Sequence, residues 1–206
     1  MGELLEHHDF LIRPDGYNIP YDAEKIHGIS TQLAQEKGID LAEMLSLFND
    51  VLAKTKFVVG QNVGFDLNIM GCEFHRLGVV TTLNDLPFLD TCSEKTAELC
   101  QLPGGRGGKF KLPTLTELHK KLFGEPFSEA HNATADVEAT TRCFLELIRS
   151  RSFDAQELQV KGEYFKEFTS RNPRTIDLVG IEHVNLKKES KKLRKKEEKS
   201  QTITSK

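Results

Sequence analysis

What the chain lacks narrows it first. Cys72, Cys92, Cys100 and Cys143 form no C-x-x-C pair and keep no zinc-type spacing with histidine. That excludes a zinc ribbon and a thioredoxin-type motif, and leaves reduced core residues in a reducing compartment, two of them on apolar helix faces. No apolar run reaches the length of a membrane span, and no secretory signal opens the chain. Glu6 stands where a myristoylation site needs Ser or Thr. The expectation is a cytoplasmic protein with no membrane partner. A Walker A loop is also missing. The one glycine-rich stretch, 103–113 (PGGRGGKFKLP), has Pro103 where that motif needs Gly and Phe110 where it needs Ser or Thr.

The 206 residues suit one domain plus a tail, and 38% hydrophobic content allows a real core. Charge is unevenly spread. Over 187–199 (KKESKKLRKKEEK) eight Lys/Arg stand against three Glu, a local +5, so the formal −3 of the whole leaves −8 on the remainder. An acidic body argues against broad nonspecific duplex binding, though not against carboxylates kept to hold cations.

The stretch from His131 to Ile148 (HNATADVEATTRCFLELI) organises the rest. From Ala133 it reads as one helix: Asp136, Thr140, Cys143 and Leu147 share a face, widened by Phe144 and Ile148. A carboxylate at the polar start of an apolar stripe needs a cation, a donor or a metal. His131, with Asn132, lies just before it. The pair is a base on a loop beside an anion on a helix, or simply a capped helix with a solvated Asp and a stray His.

Elsewhere, residues 4–13 read as a strand ending at Pro14, and 21–28 as a short helical turn closing at Gly28, with His27 inside it. A helix spans about 40–54 behind Asp40 as N-cap. The run 56–62 (KFVVGQN) suits a buried parallel strand that leads directly into a helix, which puts Asp66 in a first helical turn beyond a strand's C-terminal end. Residues 86–91 (LPFLDT) read as another buried strand ending at Asp90. The stretch 103–113 reads as a mobile basic loop offering Arg106, Lys109 and Lys111 to phosphates, or as a plain linker. Thr114-x-x-Glu117 is a capping box for the helix after it, and a further helix is expected over 155–168.

Asp66, Asp90 and Asp136 thus bring carboxylates to one sheet edge, with His131 beside them. Carboxylates holding two hard divalent cations, with a neutral His to take a water's proton, are a known way to cut phosphodiesters. At these residues the sequence resembles the DEDDh (DnaQ-like) 3′–5′ exonuclease family, the proofreading epsilon type in particular, over about residues 3–150. IPYDAEKIHGIS resembles the family's I-H-G-I segment, VVGQNVGFD its second motif, and HNATADVEAT its third, where a His precedes the last Asp by five residues. The resemblance implies an α/β, ribonuclease H-like mixed sheet flanked by helices. It makes His131 the general base, Asp66 and Asp136 ligands of a two-metal Mg²⁺ or Mn²⁺ site, and His27, Gly28, Asn62 and Phe65 substrate-binding residues, with Arg106 and Lys109 added from the loop. LDT at 89–91 matches a common strand end, not a metal ligand. Phe65 stacks on the terminal base or belongs to the core.

One departure matters. The family's first motif is an Asp-x-Glu on its first strand, and nothing before residue 20 supplies it. Asp22-Ala23-Glu24 sits in a polar turn, and Asp136-Val137-Glu138 lies on a helix, where i and i+2 diverge. Two of four expected acids are present. Against the family's strand order 3-2-1-4-5, residues 4–13 correspond to strand 3, 56–62 to strand 4 and 86–91 to strand 5. Strands 1 and 2 are lacking, on the order of 30 residues, so this chain alone is expected to be poorly stable, to bind divalent metals weakly and to show little or no nuclease activity. The expected organisation is an N-terminally incomplete exonuclease domain over 1–153, a helical extension over 154–186, and a charged, disordered tail or linker over 187–206. The implied partners are a single-stranded DNA 3′ end and a polymerase III alpha subunit, in cis or in trans. Two other readings stay open: a non-catalytic docking module of a DNA polymerase, and an RNase T-like or oligoribonuclease-like RNA exonuclease.

Overall fold

A computed structural model describes residues 3–127 and 132–176, together with Ser190, Lys192, Leu193 and Lys195. The chain divides into two compact units, one built on 54–181 with the first seven residues, the other on 8–53 with 182–206. Most of the tail and the end of the apolar run at 175–181 lie outside the described residues.

In the 8–53 unit, helix α1 (Tyr21–His27) stops at Gly28, whose φ of +83° turns the chain left-handed while its N–H bonds Glu24 O at 2.8 Å. Ser30 then caps α2 (Thr31–Lys37), its Oγ accepting from Leu33 N at 3.1 Å. Helix α3 (Leu41–Leu52) starts where expected, behind Asp40, but that carboxylate does not cap it. Asp40 instead takes a bond from Arg13 Nη1 at 2.9 Å. The strand expected over 4–13 is reduced to a single parallel bridge between Ile12 and Ile39. An apolar run makes a strand only where a neighbour supplies donors and acceptors, and here two bonds do so: Arg13 N to Ile39 O and Ile39 N to Leu11 O, each 2.9 Å. Gly38 permits this approach. A Cβ there would stand 2.3 Å from Ala34 O and 2.6 Å from Arg13 N.

The 54–181 unit is a mixed α/β arrangement on a parallel pair, β1 (Val58–Gly60) and β2 (Phe88–Asp90), with Gly60 opposite Asp90. Both were legible as short apolar runs, and this layout is consistent with the ribonuclease H-like fold implied by the resemblance. Among the described residues the sheet has these two strands and no third. Helix α4 (Val63–Arg76) follows β1, and α5 (Glu94–Cys100) follows β2. Then come α6 (Leu115–Phe123), α7 (Ala133–Arg149) and α8 (Gly162–Arg171). Leu89, Leu118, Cys143, Leu147 and Phe153 form the core between sheet and helices. Burial pushes the Cys143 thiol up to about 12, so it stays protonated and serves as packing. Cys72, by contrast, is exposed, although all four cysteines are free.

On α7 the buried stripe is Ala135, Ala139, Cys143 and Leu147, one position earlier at its start than the spacing of Asp136 and Thr140 suggests. Asp136 therefore sits at the margin of the buried face. The helix expected over 155–168 starts later. Asp154 Oδ1 accepts from Gln156 N and Glu157 N at 2.8 and 3.0 Å, closing a turn that ends at Gln159 with φ +50°. The helix restarts at Gly162.

Helix α6 has the capping box that its sequence announces: Glu117 N bonds Thr114 Oγ1 at 3.3 Å, and Thr114 N bonds Glu117 Oε2 at 2.8 Å. Lys111 Nζ adds bonds of 2.8 and 3.0 Å to the same carboxylate. The Lys111 ammonium, then the Thr114 backbone N–H, hold the Glu117 carboxyl below its usual 4.5. A depressed carboxylate contributes stability above the unfolded pKa and loses it as pH falls through the folded one. Glu117→Gln should therefore lower the melting temperature at neutral pH, and the gap from wild type should shrink as melts are taken below pH 4.5. A gap constant from pH 7 to pH 3 would count against this cap as a titrating contributor.

No helix among the described residues is long and apolar enough to cross a membrane.

Candidate nuclease site

The C-terminal ends of β1 and β2 are tied to each other and to α4. After Gly60 the chain passes through Gln61 and Asn62, and Asn62 is left-handed at φ +60°. Its own side chain does not cap α4. Asp90, at the end of β2, does so from the neighbouring strand. Asp90 Oδ1 accepts from Asn62 N at 2.7 Å and from Cys92 N at 2.7 Å, while Oδ2 accepts from Val63 N at 3.1 Å. One carboxylate thus satisfies three backbone N–H groups, two of them at the start of a helix whose dipole favours an anion there. Thr91, fully buried, closes the neighbouring gap: its Oγ1 donates toward Gly60 O and Gln61 Oε1 at 3.0 and 2.6 Å. Gln61 Nε2 donates in turn to Pro113 O at 2.8 Å. The sequence placed Asp90 at a strand end but gave no sign of this capping role, because the helix it caps begins 27 residues earlier.

Asp66 stands in the first turn of α4. Although near the surface, its carboxyl loses enough water to neighbouring atoms to push its pKa above the usual 3.8. The charge of Asp90 pushes the same way, and its own backbone N–H pulls against both. Asp66 and Asp90 are therefore brought together. Phe65, beside Asp66, is 61% exposed, so the alternative of a core residue falls away. Asn62 is likewise exposed.

Asp136 occupies the same place on α7 that Asp66 occupies on α4, the first turn, and α7 packs against β1. Asn132 caps α7 through its side chain, accepting from Thr134 N and Ala135 N at 3.1 and 3.4 Å. His131 lies outside the described residues. His27 and Gly28 belong to the other unit, where His27 Nδ1 accepts from Ile29 N at 3.0 Å. In a neutral ring that bond leaves the proton on Nε2.

The glycine-rich stretch is a folded turn rather than a featureless loop. Gly105 packs so tightly that a Cβ would lie 2.3 Å from Lys109 O and 2.4 Å from Phe110 O, and Lys111 N bonds Leu102 O at 2.9 Å. Two of its three cations are already engaged, Lys109 with Glu94 and Lys111 with Glu117. Arg106 is exposed and makes no ion pair among the described residues.

Hard divalent cations would find oxygen donors at Asp66 and Asp136, but the fit is incomplete. Asp90 commits its oxygens to backbone N–H groups, and among the described residues no three His, Cys, Asp or Glu side chains group so as to hold a metal ion. These residues do not by themselves enclose a metal pair.

Comparison with known proteins adds one positive finding. A family model described as Exonuclease (RNase_T) matches residues 1–144. Among curated proteins nothing matches the chain. The matched segment carries β1, β2, the Asp90 cap and both helix-borne carboxylates, and it exceeds half of the 206 residues. The chain belongs to the exonuclease family.

Proposed function

We propose that the chain acts as a 3′–5′ exonuclease on single-stranded DNA ends, in replicative proofreading beside a polymerase III alpha subunit to which it is joined in cis or in trans. Membership of the exonuclease family carries the hydrolytic nuclease activity, and exonuclease domains of this family generally use divalent metals. The observation that carries the finer reading is the first turn of α4. There Asp66 and the exposed Phe65 are consecutive residues on a helix start capped by Asp90. An exposed aromatic next to a carboxylate suits an unpaired terminal base better than a duplex, since stacking on one base contributes about 1–3 kcal/mol and needs an open π-face.

Each residue then has a task. Phe65 stacks the terminal base and Asn62 contacts the terminal nucleotide, while His27 and Gly28 are substrate-binding residues of the other unit. Arg106 meets a phosphate, with Lys109 able to join only after leaving Glu94. His131 takes the proton of the attacking water as the P–O3′ bond breaks and a nucleoside monophosphate departs. Asp66 and Asp136 supply half of the acids that the family's motifs call for. Mg²⁺ or Mn²⁺ is the proposed cofactor and would supply Lewis-acid chemistry.

The test is a gel assay of 20-nucleotide single strands, in DNA and in RNA, labelled at the 5′ end and incubated with Mn²⁺. The expected result, at protein in excess, is a slow ladder shortening from the 3′ end, faster on DNA and stopped by EDTA. Faster shortening of the RNA strand would move the reading to the RNA exonucleases. No shortening of either strand, with binding intact, would support the docking module.

A further inference from the structure

Taken alone, residues 8–53 of this unit are acidic: eight Asp/Glu against three Lys/Arg, a net −5. A phosphate chain approaching His27 and Gly28 would be repelled by this unit. The chain's strongest basic run, 187–199 at +5, belongs to the same unit. The two are joined at one point. Ser190 Oγ donates to Gly28 O at 2.7 Å and accepts from Ser30 N at 3.3 Å, and the residue is only 4% exposed. Both partners are backbone groups of the turn between α1 and α2. One helical turn on, Leu193 is half-buried, while Lys192 and Lys195 face solvent. A buried hydroxyl with both a donor and an acceptor role filled is a seat, not a chance encounter of a solvated tail.

We propose that Lys192 and Lys195, carried beside the 28–30 turn by the seating of Ser190, form a phosphate-binding arm that lets single-stranded nucleic acid approach the acidic residues 8–53. The proposal rests on the nuclease reading only for the identity of the polyanion. The latch places cations where this unit's own composition offers few, and exposed lysines on a fixed turn can follow a flexible backbone without reading its bases.

The test uses the full chain with fluorescein-labelled (dT)20 and (rU)20 in EDTA, so that no cleavage intervenes, titrated by anisotropy over a range of salt. Lys192→Ser with Lys195→Ser removes two solvent-facing cations without touching a buried contact. Binding should weaken several-fold, and the slope of log K against log salt should flatten by about 1.4, two phosphate contacts on a single strand. Ser190→Ala should speed hydrogen exchange at the Ser30 amide, which loses its acceptor, and weaken binding in the same direction. An unchanged salt slope in the double lysine variant overturns the arm. An unchanged Ser30 exchange rate in Ser190→Ala overturns the latch. If the wild type binds neither strand at low salt, the nuclease reading falls and the arm with it, whereas tail-independent binding sinks the arm alone. Equal slope changes on both strands support recognition through phosphates, and any difference in affinity between them identifies the preferred nucleic acid.

Discussion

Replacing Asp90 by Ala should lower the melting temperature by roughly 6–12 °C, the equivalent of about 3 kcal/mol in a chain of this size. Three backbone N–H groups lose one charged acceptor in that variant, and two of them open a helix that follows a left-handed residue. Hydrogen bonds to a charged group contribute about 1.5–3 kcal/mol each when measured singly, and less than their sum when they share one carboxylate. Asp90→Asn separates the contributions. Its remaining carbonyl oxygen can still serve Asn62 N and Cys92 N, while its NH₂ would face the Val63 N–H, so a loss of about half is expected. A melting curve for Asp90→Ala that overlays wild type would show that α4 is held by something else.

The largest effect on activity is expected at Asp66 and Asp136. Substituting either with Ala should abolish EDTA-sensitive shortening of a single strand. His131→Ala should slow it by about 10²–10⁴, the range usual for a positioned general base. Single-turnover assays with protein in excess suit the measurement, because the wild-type rate itself should be low: the sequence carries two of the four acids that the family's motifs call for. Wild-type rates in both Asp variants would remove these residues from the site. A loss in His131→Ala that disappears at higher pH would recast His131 as a group replaceable by hydroxide.

Features that depend on near neighbours in the chain were open to reading from sequence. The Thr114–Glu117 capping box closes within one turn, and Asn132 caps α7 from the adjacent position, so residue type and spacing sufficed. Strands β1 and β2 also announced themselves, as apolar runs with a helix start close behind. What failed depended on distant partners. Residues 4–13 end in an apolar run before Pro14 that reads as a strand, yet pairing is decided by what lies alongside, and among the described residues that is Ile39. The stretch 103–113 looked too rich in glycine to hold a shape. Gly105 holds one because its missing side chain lets two carbonyls close in. Lys109 and Lys111 looked available to phosphates for the same reason: Glu94 and Glu117 stand beside them only once the chain has folded. The motif residues Asp66 and Asp136 were legible as family letters, whereas the device that fixes Asp66, a carboxylate on the next strand, was not.

The bonds from Ser190 to Gly28 and Ser30 span 162 and 160 residues of chain. Sequence distance becomes time during synthesis. At about 5–20 residues per second, roughly 8–30 s separate the appearance of the 28–30 turn from that of the serine that seats on it. For that interval the carbonyl of Gly28 and the amide of Ser30 are left to water, while the α6–α7 pair, whose contacts are far more local, can already pack. Residues 8–53 are thus made before the 54–181 unit and joined by Ser190 after it. A chain truncated before Ser190 would lack the hydroxyl that seats on the 28–30 turn, and the carbonyl of Gly28 and the amide of Ser30 would stay with water.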